Sequence, residues 1–410
     1  MRPRASARLY YLAARLWLTA AGLALLLPAS ARRGIWLPLH LTLAGAVTVS
    51  ISGAMQNFAS ALTATPSPPA SAVWTQFTLV NVGTATLALG YTGDHPALLE
   101  AGGAAFLAGI ATLGWMVWRA WSKAVNRRHR VPMAMYGCAV LSLLAGGTIG
   151  ALIGGGAVKD PVLWLSLRRA HMTVNVLGWV SLTIAGTLVT LLPTVLRVRM
   201  PAWEGGSTAL VFAGGVAMIA AGLALDSRPV AAVGGVAYAI GAVSLLRLAG
   251  RALGAPRRWP VPVSAKHLVA AALWFVGGAS ALAVALIRGM EAFDAFRQVY
   301  LVVFVGGWIV QTLLGAWLYL LPMATAAHPD DRRRSLAGVE FGGTLQLAAL
   351  NGGLVVMVLR AGGWVSDPVG AVGVGLALGG AALALLKAWA FNLLGRAPVL
   401  SARQLDVWGA

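Results

Sequence analysis

The sequence is poor in cysteine, in acidic residues and in charge altogether. A single cysteine, Cys138, in 410 residues excludes an internal disulfide and any metal centre built on several thiolates. Only 12 residues are Asp or Glu, against 31 Lys or Arg. No string of carboxylates falls inside the apolar runs, so no carboxylate proton relay is written into them. Charged residues make up 10% of the chain and hydrophobic residues 59%, a ratio that a water-soluble domain cannot hide from solvent. No cleavable leader is expected either. The first apolar run, Leu9 to Pro28, contains Arg15 and has no small-residue cleavage site before Arg32, so it reads as a first membrane helix.

What is there instead is a series of long apolar runs. A helix crosses the hydrocarbon core with about 20 apolar residues. Such runs fall at roughly 9–29, 36–63, 73–93, 96–118, 132–156, 162–196, 207–225, 229–250, 263–288, 298–325, 337–359 and 368–395. They are continuous rather than alternating, which favours helices over barrel strands. The expected fold is therefore an all-α polytopic membrane protein of about twelve transmembrane helices, a single integral membrane domain over 1–410. The 50 glycines suit close helix packing in lipid. The net charge of +19 lies in short loops between the runs, so the expected partner is the lipid bilayer and not nucleic acid. With the N-terminus cytoplasmic, inner segments take the larger share of Lys and Arg, including Arg2, Arg127, Arg128, Arg130, Arg396 and Arg403. That asymmetry predicts a multi-pass protein of the cell membrane with both termini cytoplasmic.

An internal repeat of about 130 residues runs through the chain. Trp179 and Trp308, Gly178 and Gly307, and Pro193 and Pro322 all align at a separation of 129, which places His171 on Tyr300 and Arg168 on Arg297. The fifth and ninth runs agree at offsets of 130 to 131, through Arg127–Arg128 with Arg257–Arg258 and Gly146–Gly147 with Gly277–Gly278. The second run joins through His40-Leu-Thr-Leu, which resembles His171-Met-Thr-Val at an offset of 131. Three pseudo-repeated four-helix units are expected, at 1–66, 67–196 and 197–326, with 327–410 completing the first. Sites form where such units meet.

Of six histidines, His95, His129 and His328 read as solvated loop residues, and His267 as an interfacial one. His40 and His171 lie inside apolar runs, a turn or two from the outer surface. A polar ring at that depth is costly unless paired, so both are functional suspects. His171, Asn175 and Gly178 share a helix face. By the repeat, Tyr300 joins the two histidines at a matching height. Imidazoles suit iron, copper or zinc, making His40 and His171 candidate metal ligands and Tyr300 a candidate third. Arg168, Arg169 and Arg297 stand close by, where guanidinium groups could hold carboxylates such as haem propionates or else snorkel to the surface.

Twelve helices in three four-helix units, with histidines near the outer ends of the second and sixth, resemble the haem-copper oxidase subunit I superfamily. That superfamily includes nitric oxide reductases, and the NnrS-type haem and copper proteins look similar in outline. The resemblance implies that His40 matches a low-spin haem ligand and His171 a copper ligand. Asn175 falls where some oxidases carry a crosslinked tyrosine. The tenth run shows Tyr300 and no histidine, and the adjacent histidine pair near the seventh run is missing, so an oxygen-reducing centre cannot be assembled in the usual way. A divergent relative is expected, associated with haem or copper, in nitric oxide or copper response or in electron transfer with a redox partner protein. The alternatives are a transporter or permease lined by residues such as Gln311 and Asn351, and an inactive structural membrane subunit. In every case the protein should stay with the membrane pellet through alkaline carbonate washing and come free only in detergent.

Overall fold

The computed structural model describes residues 3–199, 206–326 and 328–393. Arg2, Arg396 and Arg403, counted among the inner charges above, lie outside the described residues. The described residues form thirteen helices and no strand. In chain order they are α1 Pro3–Ala24, α2 Trp36–Thr63, α3 Ala70–Thr92, α4 Pro96–Ser122, α5 Arg130–Gly154, α6 Pro161–Leu196 and α7 Gly206–Ala224. There follow α8 Arg228–Gly254, α9 Val263–Arg288, α10 Met290–Thr325, α11 Pro329–Glu340, α12 Gly343–Ala361 and α13 Asp367–Leu393. Ten of these are long and apolar enough to cross a membrane. The chain is an all-α polytopic membrane protein, with apolar helices suited to a lipid bilayer.

Helix ends follow local chemistry. Pro96, Pro161 and Pro329 open α4, α6 and α11, where the missing N–H costs nothing. The Asp160 carboxylate accepts from the Leu163 N–H at 2.7 Å and caps α6. The run expected at 337–359 is broken: α11 ends at Glu340, and α12 restarts after Gly342, whose φ of +61° only glycine adopts freely. Glu340 accepts from the Val263 N–H and so pins the start of α9. The tenth run is longer than expected, because α10 extends outward to Met290 and carries Asp294 to an ion pair with Arg169.

Three outer hairpins, α3–α4, α7–α8 and α12–α13, pack backbone to backbone. A Cβ on Gly90, Gly222 or Gly353 would come 2.3 Å from a backbone nitrogen of the partner helix. Inside them stand α2, α6 and α10, each with a stretch of π-helix: Leu41–Val47, Val174–Val180 and Leu301–Val310. Indole N–H groups tie these three together. Trp179 donates to Thr48 Oγ1 at 3.0 Å, Trp308 to Ser181 Oγ at 2.9 Å, and Trp317 to Ser50 Oγ at 3.1 Å. A second matched pair of ties joins α1 to α3 and α9 to α12. Trp17 of α1 donates to Asn81 of α3, and Trp274 of α9 to Asn351 of α12, both at 2.7 Å. The buried Arg15 closes the ring, donating to the Ala388 carbonyl of α13 at 2.7 Å.

These contacts also fix how α2 and α6 correspond. Thr48 stands for Ser181, Gly53 for Gly186, and the π stretches start at 41 and 174, an offset of 133 instead of the 131 read from the sequence. Two residues are about 200° of helix rotation. His40 is therefore turned away from the position that corresponds to His171. Replacing Trp179 with Phe removes one tie between α2 and α6. The expected loss is on the order of 1 kcal/mol, read as a lower melting temperature in detergent.

A candidate two-histidine cavity

His40 leaves α2 at the last residue before its π stretch, and His171 leaves α6 three residues before its own. Such irregular turns redirect side chains and recur at functional sites. The two imidazole rings lie near-parallel, with centroids 6.4 Å apart and planes within 14°. Each is oriented by a backbone carbonyl. His40 Nδ1 lies 2.9 Å from the Trp36 oxygen, and His171 Nδ1 2.8 Å from the Gly146 oxygen. A carbonyl only accepts, so His40 Nδ1 carries the proton and its Nε2 presents a lone pair, while His171 Nδ1 lies between the Gly146 oxygen and the Asn175 amide nitrogen, 3.1 Å away. Neither Nε2 has a hydrogen-bond partner among the described residues.

The rings border a cavity of about 710 Å³ walled by α2 to α6 and capped by the outer turns of α10. Its walls are mostly apolar, with Phe106, Leu107 and Trp164 prominent. Glycines on α5 make the room. A Cβ on Gly150 would come 2.6 Å from His171 Cε1, and one on Gly146 would come 2.5 Å from Asn175 Oδ1. The Asn175 amide donates to the His171 carbonyl at 2.8 Å and stiffens the turn beneath the imidazole.

Arginines gather where the cavity meets the ends of the helices. Arg169 is taken: its Nε donates to Asp294 Oδ1 at 3.0 Å, its Nη2 meets the other carboxylate oxygen, and Asp226 lies 4.0 Å away. Arg168 and Arg297 also line the cavity, and no carboxylate among the described residues forms an ion pair with either. The Arg168 guanidinium lies over the Trp164 ring at 5.5 Å.

Tyr300 is not brought to this cavity. Its ring is fully buried against Phe304, 4.6 Å between centroids, and its hydroxyl has no hydrogen-bond partner among the described residues. The space between α6, α8, α9 and α10 is filled by Phe212, Tyr238, Phe275, Phe304 and Trp308, with Phe275 stacked on Trp308 at 4.3 Å. His267, read as interfacial, is fully buried beside Gly315, with Nε2 3.3 Å from the Gln346 amide. Two residues escaped the sequence reading: Gly150, and Trp36, which stacks on His40 from one helical turn away. The i−4 spacing of Trp36 was a visible signal for the second.

Among the described residues, no group of three or more His, Cys, Asp or Glu could hold a metal ion. Two imidazoles are too few for a bare four-coordinate ion, but enough for a metal that brings its own in-plane donors. The chain matches no known protein family and no characterised protein. The arrangement therefore stands on its geometry. Gly150→Leu is expected to push His171 aside and to lower the melting temperature in detergent, with helix content unchanged by circular dichroism.

Proposed function

We propose that the protein binds one haem between His40 and His171 and serves in electron transfer within the cell membrane, both termini cytoplasmic. One observation carries this reading. The His40 and His171 rings lie near-parallel at the wall of one cavity, with centroids 6.4 Å apart, close enough that one metal centre would lie within reach of both. The cavity beside them, about 710 Å³, is far larger than a bare ion needs and of a size for a large planar group. This favours haem over an isolated copper ion.

The residues have distinct tasks. Nε2 of each histidine would be the ligand, and the backbone carbonyl at each Nδ1 orients the ring. Arg168 and Arg297 neutralise the carboxylates of the group; Arg169, already spent on Asp294, supports α10 instead. The apolar walls exclude water and hold the site at low dielectric. When bound, haem would supply a one-electron iron couple. Held by a nitrogen from each histidine, such a group would suit electron transfer better than gas reduction. The orientation in the cell membrane rests on the Lys and Arg asymmetry of the loops.

A permease would need a polar path near the midplane. Its candidate residues do not supply one, since Asn351 is occupied by Trp274 and Gln311 is fully buried and outside the cavity. The test is a visible spectrum with pyridine haemochrome quantitation on protein purified in detergent. A Soret band at one haem per chain is expected, lost or strongly reduced in His40→Ala and in His171→Ala, with no shift when carbon monoxide is added to the reduced form. Absence of the band in the wild type overturns the proposal. Carbon monoxide binding would leave haem but remove bis-histidine ligation.

A further inference from the structure

Ligation does not explain what lies behind His40. The Trp36 indole stacks on the imidazole with centroids 4.0 Å apart and planes within 20°. Tyr91, in the last turn of α3, stacks on the other side of that indole, again at 4.0 Å and within 25°. Three π systems thus stand in unbroken van der Waals contact. They run from the metal-facing ring to the α3–α4 loop, where Asp94 pairs with Arg33 and both are exposed beside Ile35. His171 has nothing comparable. Behind its ring are the bare backbone at Gly150 and the Asn175 amide. The two ligands are therefore served differently: one is packed against glycine, the other is joined to the surface by aromatic rings.

Electron tunnelling falls steeply with the gap between successive orbitals, and accessible π orbitals in contact keep each gap short. Aliphatic side chains of the same bulk would fill the space equally well without doing so. We propose that Trp36 and Tyr91 are the conduit through which an electron passes between the loop surface at Arg33–Asp94 and the group held by His40. The inference rests on the haem reading above. The step moves one electron from a one-electron donor on that surface to the ferric ion. The donor is oxidised by one electron and the iron reduced by one, and no bond or proton is exchanged. Trp36 and Tyr91 are positioning residues for the electron and do not ligate the metal.

The single cysteine makes the test clean. In a Cys138→Ser background, a ruthenium polypyridyl photosensitiser is attached at His95→Cys, beside the stack, or at Lys159→Cys, on the α5–α6 loop. Electron injection into the haem is then followed by flash photolysis at the Soret band. From the His95 position, injection is expected to slow several-fold in Tyr91→Leu and further in Trp36→Leu, and to recover in Trp36→Phe. From the Lys159 position the same substitutions should leave the rate unchanged. Equal rates from the His95 position in wild type and in a band-retaining Tyr91→Leu would overturn the conduit while leaving the haem reading intact. A slowing from both positions would also overturn it, because that is the mark of a general change in the site. If Trp36→Leu loses the Soret band, the Tyr91→Leu comparison decides. A wild-type protein without that band sinks both proposals together.

Discussion

The hydrocarbon core offers no water to satisfy a polar group, so an N–H or hydroxyl at depth is costly unless it finds a partner inside the bundle. The ties from Trp179 to Thr48, Trp308 to Ser181 and Trp317 to Ser50 answer that constraint. They do more than satisfy donors. In lipid there is no hydrophobic force pressing helices together, and packing and hydrogen bonds decide which faces meet. Three indoles linking three neighbouring helices fix the rotation of α2, α6 and α10 about their own axes. Once those rotations are fixed, the outward side chains of the same helices have determined directions.

The site is a consequence of that fixed core and of its imperfect symmetry. Each central helix carries a π stretch, and each group of helices carries a glycine-packed hairpin outside it. The groups differ in what fills them. The space beside α9 is closed by stacked aromatics, with Tyr300 buried at their edge. The space bordered by α2 and α6 is left open by glycines and receives both histidines. A strict threefold repeat would have aimed His40 and His171 into separate spaces. The two-residue shift between them turns His40 toward its partner.

Much of the fold was legible because its signals are local. Run length and apolarity gave the long helices and most of their ends. The ties between α1 and α3 and between α9 and α12 were also legible, although they went unread. Gln76-x4-Asn81 recurs as Gln346-x4-Asn351, and Tyr10-x6-Trp17 as His267-x6-Trp274. Within the site, His40, His171, Arg168 and Arg297 were legible as polar groups in apolar surroundings. The neutralisation of Arg169 was not, because Asp294 lies 125 residues away and meets it only through the outward extension of α10. Tyr300 was misleading for a similar reason: its register says nothing about which space its ring enters.

The sequence alone determined a lipid-embedded helical bundle with two imidazoles near one end, since helix length, apolarity and depth are properties of contiguous residues. Only the tertiary structure decided that the two imidazoles border a single cavity with their rings near-parallel. That outcome depends on how far each helix is rotated about its axis, and rotation is set by contacts between residues distant in the chain and by π turns that carry no sequence signature of their own.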